Sequence, residues 1–150
     1  MSNIITKRMV SKMVDQTEIN QTERRTGKEI LQMYAKGERD FRNLDLEGID
    51  LAGADLSSAC FDGTNLSNAN LSFAKLTNAS FVGSDLSNSD LEGANFRYSD
   101  LNRANLSDAK LSGTDLRDTD LTDAYISKTG FKGADLDGAK TRVGNEDIYF

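Results

Sequence analysis

The chain has 150 residues, 18 basic against 24 acidic side chains and a formal charge of −6, which suits one compact domain. Its 37% hydrophobic content, rich in Leu, Phe and Ala, excludes a disordered polyanion. It contains no His, Trp or Pro, and Cys60 is its one cysteine. Ser–His and Cys–His nucleophile pairs are therefore excluded, the usual zinc sites lack ligands, and no internal disulfide can form.

Residues 1–25 contain no apolar run longer than two, whereas a secretory core needs roughly 7–15 apolar residues and a membrane span about 20. With the lone thiol, this gives a cytoplasmic, membrane-free expectation. Ile5, Met9 and Met13 recur every four residues beside Lys7, Arg8 and Lys12. That spacing suits an extra packing helix or a tail better than a membrane-surface helix. Residues 26–38 read as a capping helix. Thr26 and Glu29 form a capping box, Ile30, Leu31 and Tyr34 make an apolar stripe with Met33 beside it, and Gly37 is placed to stop the helix. Thr26-Gly27-Lys28 lacks the upstream glycine of a phosphate loop and belongs to this helix.

From 39 to 138 the sequence repeats every five residues. Leu, Phe or Ile stands at 20 consecutive centres, Phe41, Leu46, Leu51 and so on to Phe131 and Leu136. A helix would scatter such centres around all its faces, and a flat strand would alternate them across two. A coil that turns after every unit points them all inward. The position two after the centre is then a corner, and 15 of its 20 occupants are Gly, Asn or Asp, the residues that tolerate positive φ. The position two before the centre is Ala, Ser or Thr from Ala54 to Ala134, small enough to point inward beside a large neighbour.

The pattern Ala-(Asp/Asn)-Leu-x-x, whole in Ala54-Asp55-Leu56, Ala69-Asn70-Leu71 and Ala104-Asn105-Leu106, resembles the pentapeptide-repeat family over two-thirds of the chain. The resemblance implies an all-β solenoid: a right-handed quadrilateral parallel β-helix with four units per coil, hence about five coils, behind an N-terminal α-helical cap of the kind common in cyanobacterial relatives. Phe41, Phe61 and Phe81 recur every 20 residues, which agrees with four units per coil. Leu44 and Ile49 replace the usual small residue, so the first coil is expected to widen and receive the helix. Residues 139–150 bring Val143, Ile148, Tyr149 and Phe150. Two outcomes stay open: this tail folds over the last coil, or the free edge pairs with a second copy as a homodimer.

No catalytic, cofactor-binding or metal-binding residue is expected. Asp55, Asp115 and Asp135 fill the polar slot before a centre, and Asp45, Asn65, Asp85 and Asn105 alternate so that like charges are spaced. Nothing matches the calcium-binding nonapeptide repeat. Cys60 sits in the same outward slot and reads as an ordinary exposed thiol. Phe73, Tyr98 and Tyr125 read as outward aromatics on different faces. The expectation is a non-enzymatic structural or protein-interaction module with an unidentified protein partner, and with no nucleic acid, membrane or small-molecule substrate. An enzyme would need a pocket that an uninterrupted repeat does not offer.

The alternative is a DNA-mimicking, gyrase-binding protein, since some relatives that confer quinolone resistance are acidic rods. Residues 39–138 hold 17 acidic and 9 basic side chains, a net −8. B-DNA of about the same 24 Å length carries roughly 14 charges, so the density is about half. Assigned to four faces from Arg39, the units give −2, −3, −1 and −2, and basic residues interrupt every face.

Overall fold

A computed structural model describes residues 24–126, 128–143 and 146–147. Most of the expected N-terminal tail (1–23) and the apolar end of the C-terminal tail (148–150) lie outside the described residues.

Helix α1 spans Gly27–Ala35 and begins as its sequence dictates. The Glu29 N–H donates to the Thr26 hydroxyl at 3.3 Å, and the Glu29 carboxylate accepts the Thr26 N–H at 2.6 Å, a reciprocal capping box. Gly37 takes φ +96° just past the end. Its N–H bonds to the Tyr34 carbonyl and that of Glu38 to the Met33 carbonyl, both at 3.0 Å, which closes a Schellman motif. The buried stripe differs from the expected one. Ile30 is fully buried with Met33 and Tyr34 packed beside it, while Leu31 is 39% exposed. One residue step turns a helix by about 100°, so the i, i+3, i+4 set built on Ile30 turns Leu31 outward.

The helix lies against residues 45–57. A Cβ on Gly27 would stand 2.1 Å from the Asp50 carbonyl oxygen, so only glycine permits this approach. The Tyr34 hydroxyl donates to the Ser57 carbonyl at 2.8 Å, and Arg24 pairs with Asp45 at 3.4 Å and with Glu47.

From Asp40 onward the chain stacks on itself in parallel, each slot residue bridging the one 20 positions later: Asp40 with Cys60, Cys60 with Ser80, Ser80 with Asp100. Four five-residue units therefore separate stacked positions. The bonding repeats with the units. Leu71 and Phe73 donate N–H upward to the Asp90 and Glu92 carbonyls at 2.8 Å, Lys75 donates down to Ala54 at 2.8 Å, and Ala74 closes the turn onto Leu71 at 3.1 Å. Each side turns after so few residues that pairing stays at single-residue bridges. The two-residue strands β1 (Arg142–Val143) and β2 (Glu146–Asp147) instead form an antiparallel hairpin after the repeats. The ladder runs on past residue 138, with Lys140 bridging Asp120 and the Asp123 N–H reaching the Arg142 carbonyl at 2.7 Å.

The axis is dry. Every centre from Phe41 to Leu121 is at most 1% exposed, and the small residues from Ala54 to Ala124 are buried beside them. Phe41, Phe61 and Phe81 stack at 5.2 Å between successive ring centroids, as their recurrence predicts. Buried hydroxyls all find carbonyls. Thr64, Thr114 and Thr119 donate to a residue 23 positions earlier, in the coil below, whereas Ser84, Ser89 and Ser99 donate three back. Among the described residues no buried side-chain N or O lacks a partner, so polar atoms in this core cost little.

All 20 corner positions have positive φ, the non-glycine ones between 56° and 61°. Five of them, Ser58, Phe73, Tyr98, Arg103 and Lys128, are not residues that favour this conformation. Left-handed backbone costs an ordinary L-residue roughly 1–2 kcal/mol, so at these five corners the stacked coil overrules local preference.

Candidate interaction surface

The outward slot carboxylates are occupied by the fold. Asp45, Asp55 and Asp135 each accept the N–H two residues on, at 3.3, 3.3 and 3.1 Å, holding the chain into its corner. Asp55 also accepts the Ser57 hydroxyl at 2.8 Å, and these bonds lower its pKa. The alternation of Asp and Asn on one side has a direct physical outcome. The Asn65 amide donates to Asp45 at 3.0 Å and the Asn105 amide to Asp85 at 3.1 Å, replacing charge repulsion between rungs with hydrogen bonds.

Cations are similarly engaged, within a rung and between rungs. Arg117 forks onto Asp115 at 2.9 and 2.6 Å and reaches Asp135 at 3.4 Å, and its hydrogen bond holds the Asp115 carboxyl below its usual range. Arg42 forks onto Asp40 in the same way and brings that carboxyl down to about 2. Lys110 meets Asp90 at 3.3 Å, and Lys140 meets Asp120 at 3.0 Å. Asp120 still ends below its usual pKa, because bonds from Thr122 and Lys140 outweigh the burial that raises it.

Cys60 departs from the sequence reading. It is half-buried rather than exposed, and burial pushes its thiol pKa up, helped by the Asp62 carboxylate and opposed by the Asp62 backbone N–H and, more weakly, by Arg42. Asp62 lies two residues on in the same unit, and the 20-residue register was the signal that places Arg42 in the coil below. A raised pKa leaves less thiolate and a less reactive sulfur.

The exposed aromatics also regroup. Phe73, Tyr98 and Tyr125 are 66%, 51% and 61% exposed. Tyr125 stands on the side of Asn105, to which it bridges. Phe73 and Tyr98, however, sit at corners, and a corner belongs to two sides at once. The Phe73 ring reaches up over the Gly93 corner, where a Cβ would stand 2.6 Å from its Cδ1. Gly93 and Tyr98 are the two corners of one coil side, residues 94–97. The two aromatics therefore flank the same side, and the Arg97 guanidinium lies 4.7 Å from the Tyr98 ring centroid. Sequence reading missed this pairing because it assigned each corner to one unit only.

Among the described residues no cluster of His, Cys, Asp or Glu is arranged to hold a metal ion. An open cleft of about 450 Å³ lies near the last coil, lined by Thr122, Ala139, Lys140, Thr141 and Arg142, none of them a carboxylate or a thiol. No helix among the described residues is long and apolar enough to cross a membrane.

Parallel stacking at a 20-residue register, inward leucines and positive-φ corners define a β-helix solenoid, of the right-handed kind that pentapeptide repeats imply. The family signature "Pentapeptide repeats" matches in 8 copies over residues 40–72, 69–108 and 104–140, and the chain belongs to that family. Its members are generally structural or interaction modules rather than enzymes. Among solved structures, the chain is similar to a pentapeptide repeat protein from the Arabidopsis thaliana thylakoid lumen, 27% identical over 72% of this chain and 69% of that one, with a TM-score of 0.49. A pentapeptide repeat protein of Nostoc PCC 7120 is 31% identical over 79% and 78% of the two chains, with a TM-score of 0.23. QnrB1, a plasmid-mediated fluoroquinolone resistance protein, is 24% identical over 69% of each chain, with a TM-score of 0.38. No curated protein sequence matches the chain.

Proposed function

We propose that this chain is a non-enzymatic protein-interaction module. In this reading residues 26–38 cap a five-coil rod of residues 39–138, with 1–25 and 139–150 as flanking segments, and the rod presents its sides to a protein partner in the cytoplasm. The observation that carries the reading is the division of roles within each unit. From Ile49 to Ala124 two of every five positions are sealed in the axis, one turns the corner, and two are left on the outside free to vary. Such a surface is rigid and ready-made, which lowers the ordering cost of binding. Photo-crosslinking residues placed at Ser67, Thr77, Asn102 and Ser112, one on each side, test it in the native cell. A discrete heteromeric adduct from at least one side is expected. Adducts from none, or catalytic turnover by the purified protein, would overturn the reading.

The gyrase-directed DNA mimic is the alternative. Arg117, Lys110 and Lys140 each neutralise carboxylates on neighbouring rungs, which breaks the continuous negative rows that phosphate mimicry needs. Inhibition of gyrase supercoiling at low micromolar protein would restore it. A homodimer through the C-terminal edge has one favouring observation: Ile126, Phe131 and Leu136 are only partly buried where earlier centres are sealed. Sedimentation as a dimer, abolished by Phe131→Lys, is its expected signature.

A further inference from the structure

Residues 59–98 form two coils whose four sides are unequal. Three sides carry Asp62, Asp85, and Asp90 with Glu92, respectively, and no cation. The fourth, built on 74–77 and 94–97, carries Lys75 and Arg97 and no carboxylate. These are the only two cations in residues 59–98, and they share one side. That side is also the one flanked by Phe73 and Tyr98, two of the large hydrophobics that stand most exposed.

Both cations are loosely held. Lys75 stands 3.8 Å from Asp55, and Arg97 reaches one Asp118 oxygen at 3.4 Å from both Nε and Nη2. Arg117, by contrast, forks onto Asp115 at 2.9 and 2.6 Å. The two aromatics are placed against local preference, at φ of 57° and 61°, where the corresponding corners of other coils include Gly53, Gly113, Asn78 and Gly138. Neither ring is needed to fill the axis. Strain and exposure at the same residues, beside underused cations, mark a surface kept for contact rather than for stability.

We infer that the side flanked by Phe73 and Tyr98 docks an extended protein segment that carries carboxylates next to an apolar or aromatic side chain. This rests on the interaction-module reading and gives its partner a chemistry. Arg97 and Lys75 receive the carboxylates. Tyr98 and Phe73 bracket the apolar group, and Arg97 already lies on the Tyr98 ring in the geometry of a cation–π contact. Tyrosine and arginine together are the residue types that dominate binding hot spots. Within residues 59–98 the other three sides carry only carboxylates, so such a segment finds cations on this side alone, bordered by Asp55 below Lys75 and Asp118 above Arg97.

The test is display selection of random peptides on the immobilised full-length protein, followed by titration of the recovered peptides. Sequences combining Asp or Glu with Leu, Phe or Tyr are expected. Their Kd should weaken at least about tenfold in Arg97→Glu and in Tyr98→Asn, as hot-spot truncations do, and hold in Tyr125→Asn. Tyr98→Asn supplies a second readout: asparagine suits the corner, so its Tm should equal or exceed that of the wild type. A lowered Tm in that variant would make Tyr98 a structural residue and overturn the inference, as would peptides lacking acidic residues. Peptides that bind indifferently to Arg97 and Tyr98 reject this surface while leaving the interaction module standing. Self-association lost in Tyr98→Asn would assign the side to a second copy of this chain and reject the segment.

Discussion

The axis and the corners obey the same five-residue rule with different strictness. Along the axis, seventeen successive centres from Phe41 to Leu121 are large, apolar and sealed, without one exception. At the corners the same backbone holds Gly83, Asn88, Phe73 and Arg103 with nearly the same φ, between 56° and 63°. The difference follows from what each position loses by substitution. A missing core side chain leaves a void whose lining cannot relax into it, at about 2–5 kcal/mol for Leu→Ala. A poorly suited corner costs roughly 1–2 kcal/mol and leaves the packing of the axis intact. Variation therefore collects at corners and outward slots, and there the molecule differs from a generic repeat.

Leu86→Ala, at a fully buried centre, tests the strict side of this contrast and is expected to cost about 2–5 kcal/mol in urea denaturation. A loss below ~1 kcal/mol would mean that the coil collapses around the gap. Gly83→Val moves the same test to a corner at φ +63°, where a β-branched residue should cost about 1–3 kcal/mol although no atom lies within 4 Å of the added Cβ. An unchanged midpoint would show that corner strain is negligible and would weaken the significance given to Phe73 and Tyr98.

Thr26→Ala removes the cap of α1, and a loss of about 1 kcal/mol is expected, read as earlier melting of the helical circular-dichroism band. Arg103→Gly should go the other way, raising stability by up to about 1 kcal/mol by relieving the corner at φ 56°.

The smallest effect expected is with acid. The carboxyls of Glu29, Asp40, Asp55, Asp115 and Asp120 all have depressed pKa values in the folded state. Their contribution is fully present above the unfolded carboxylate pKa of about 4 and is lost as pH falls through the folded values, about 2 for Asp40. Melting temperature should be flat from neutral pH to about 5 and decline below 4, modestly because these groups are solvent-screened. A decline beginning above pH 5 would point to a different titrating group.

The five-residue spacing, the small and large inward positions and the glycine-rich corner were all legible in the primary structure, because each follows from a constraint within one unit. Thr26, Glu29 and Gly37 announced the helix ends for the same reason: capping bonds join residues three to five apart. What the sequence could not state alone is what lies above and below each residue. The 20-residue register, through hydrogen bonds between coils, brings Arg42 beside Cys60, turns Asp45 and Asn65 into partners, and sends Thr114 to the carbonyl of Leu91. It also decided that Phe73 and Tyr98, twenty-five positions apart, frame one side of the rod, whereas the packing of α1 on Ile30 turned Leu31 out. Local geometry is written five residues at a time, whereas a surface exists only once four units have closed a coil and the next has stacked on it.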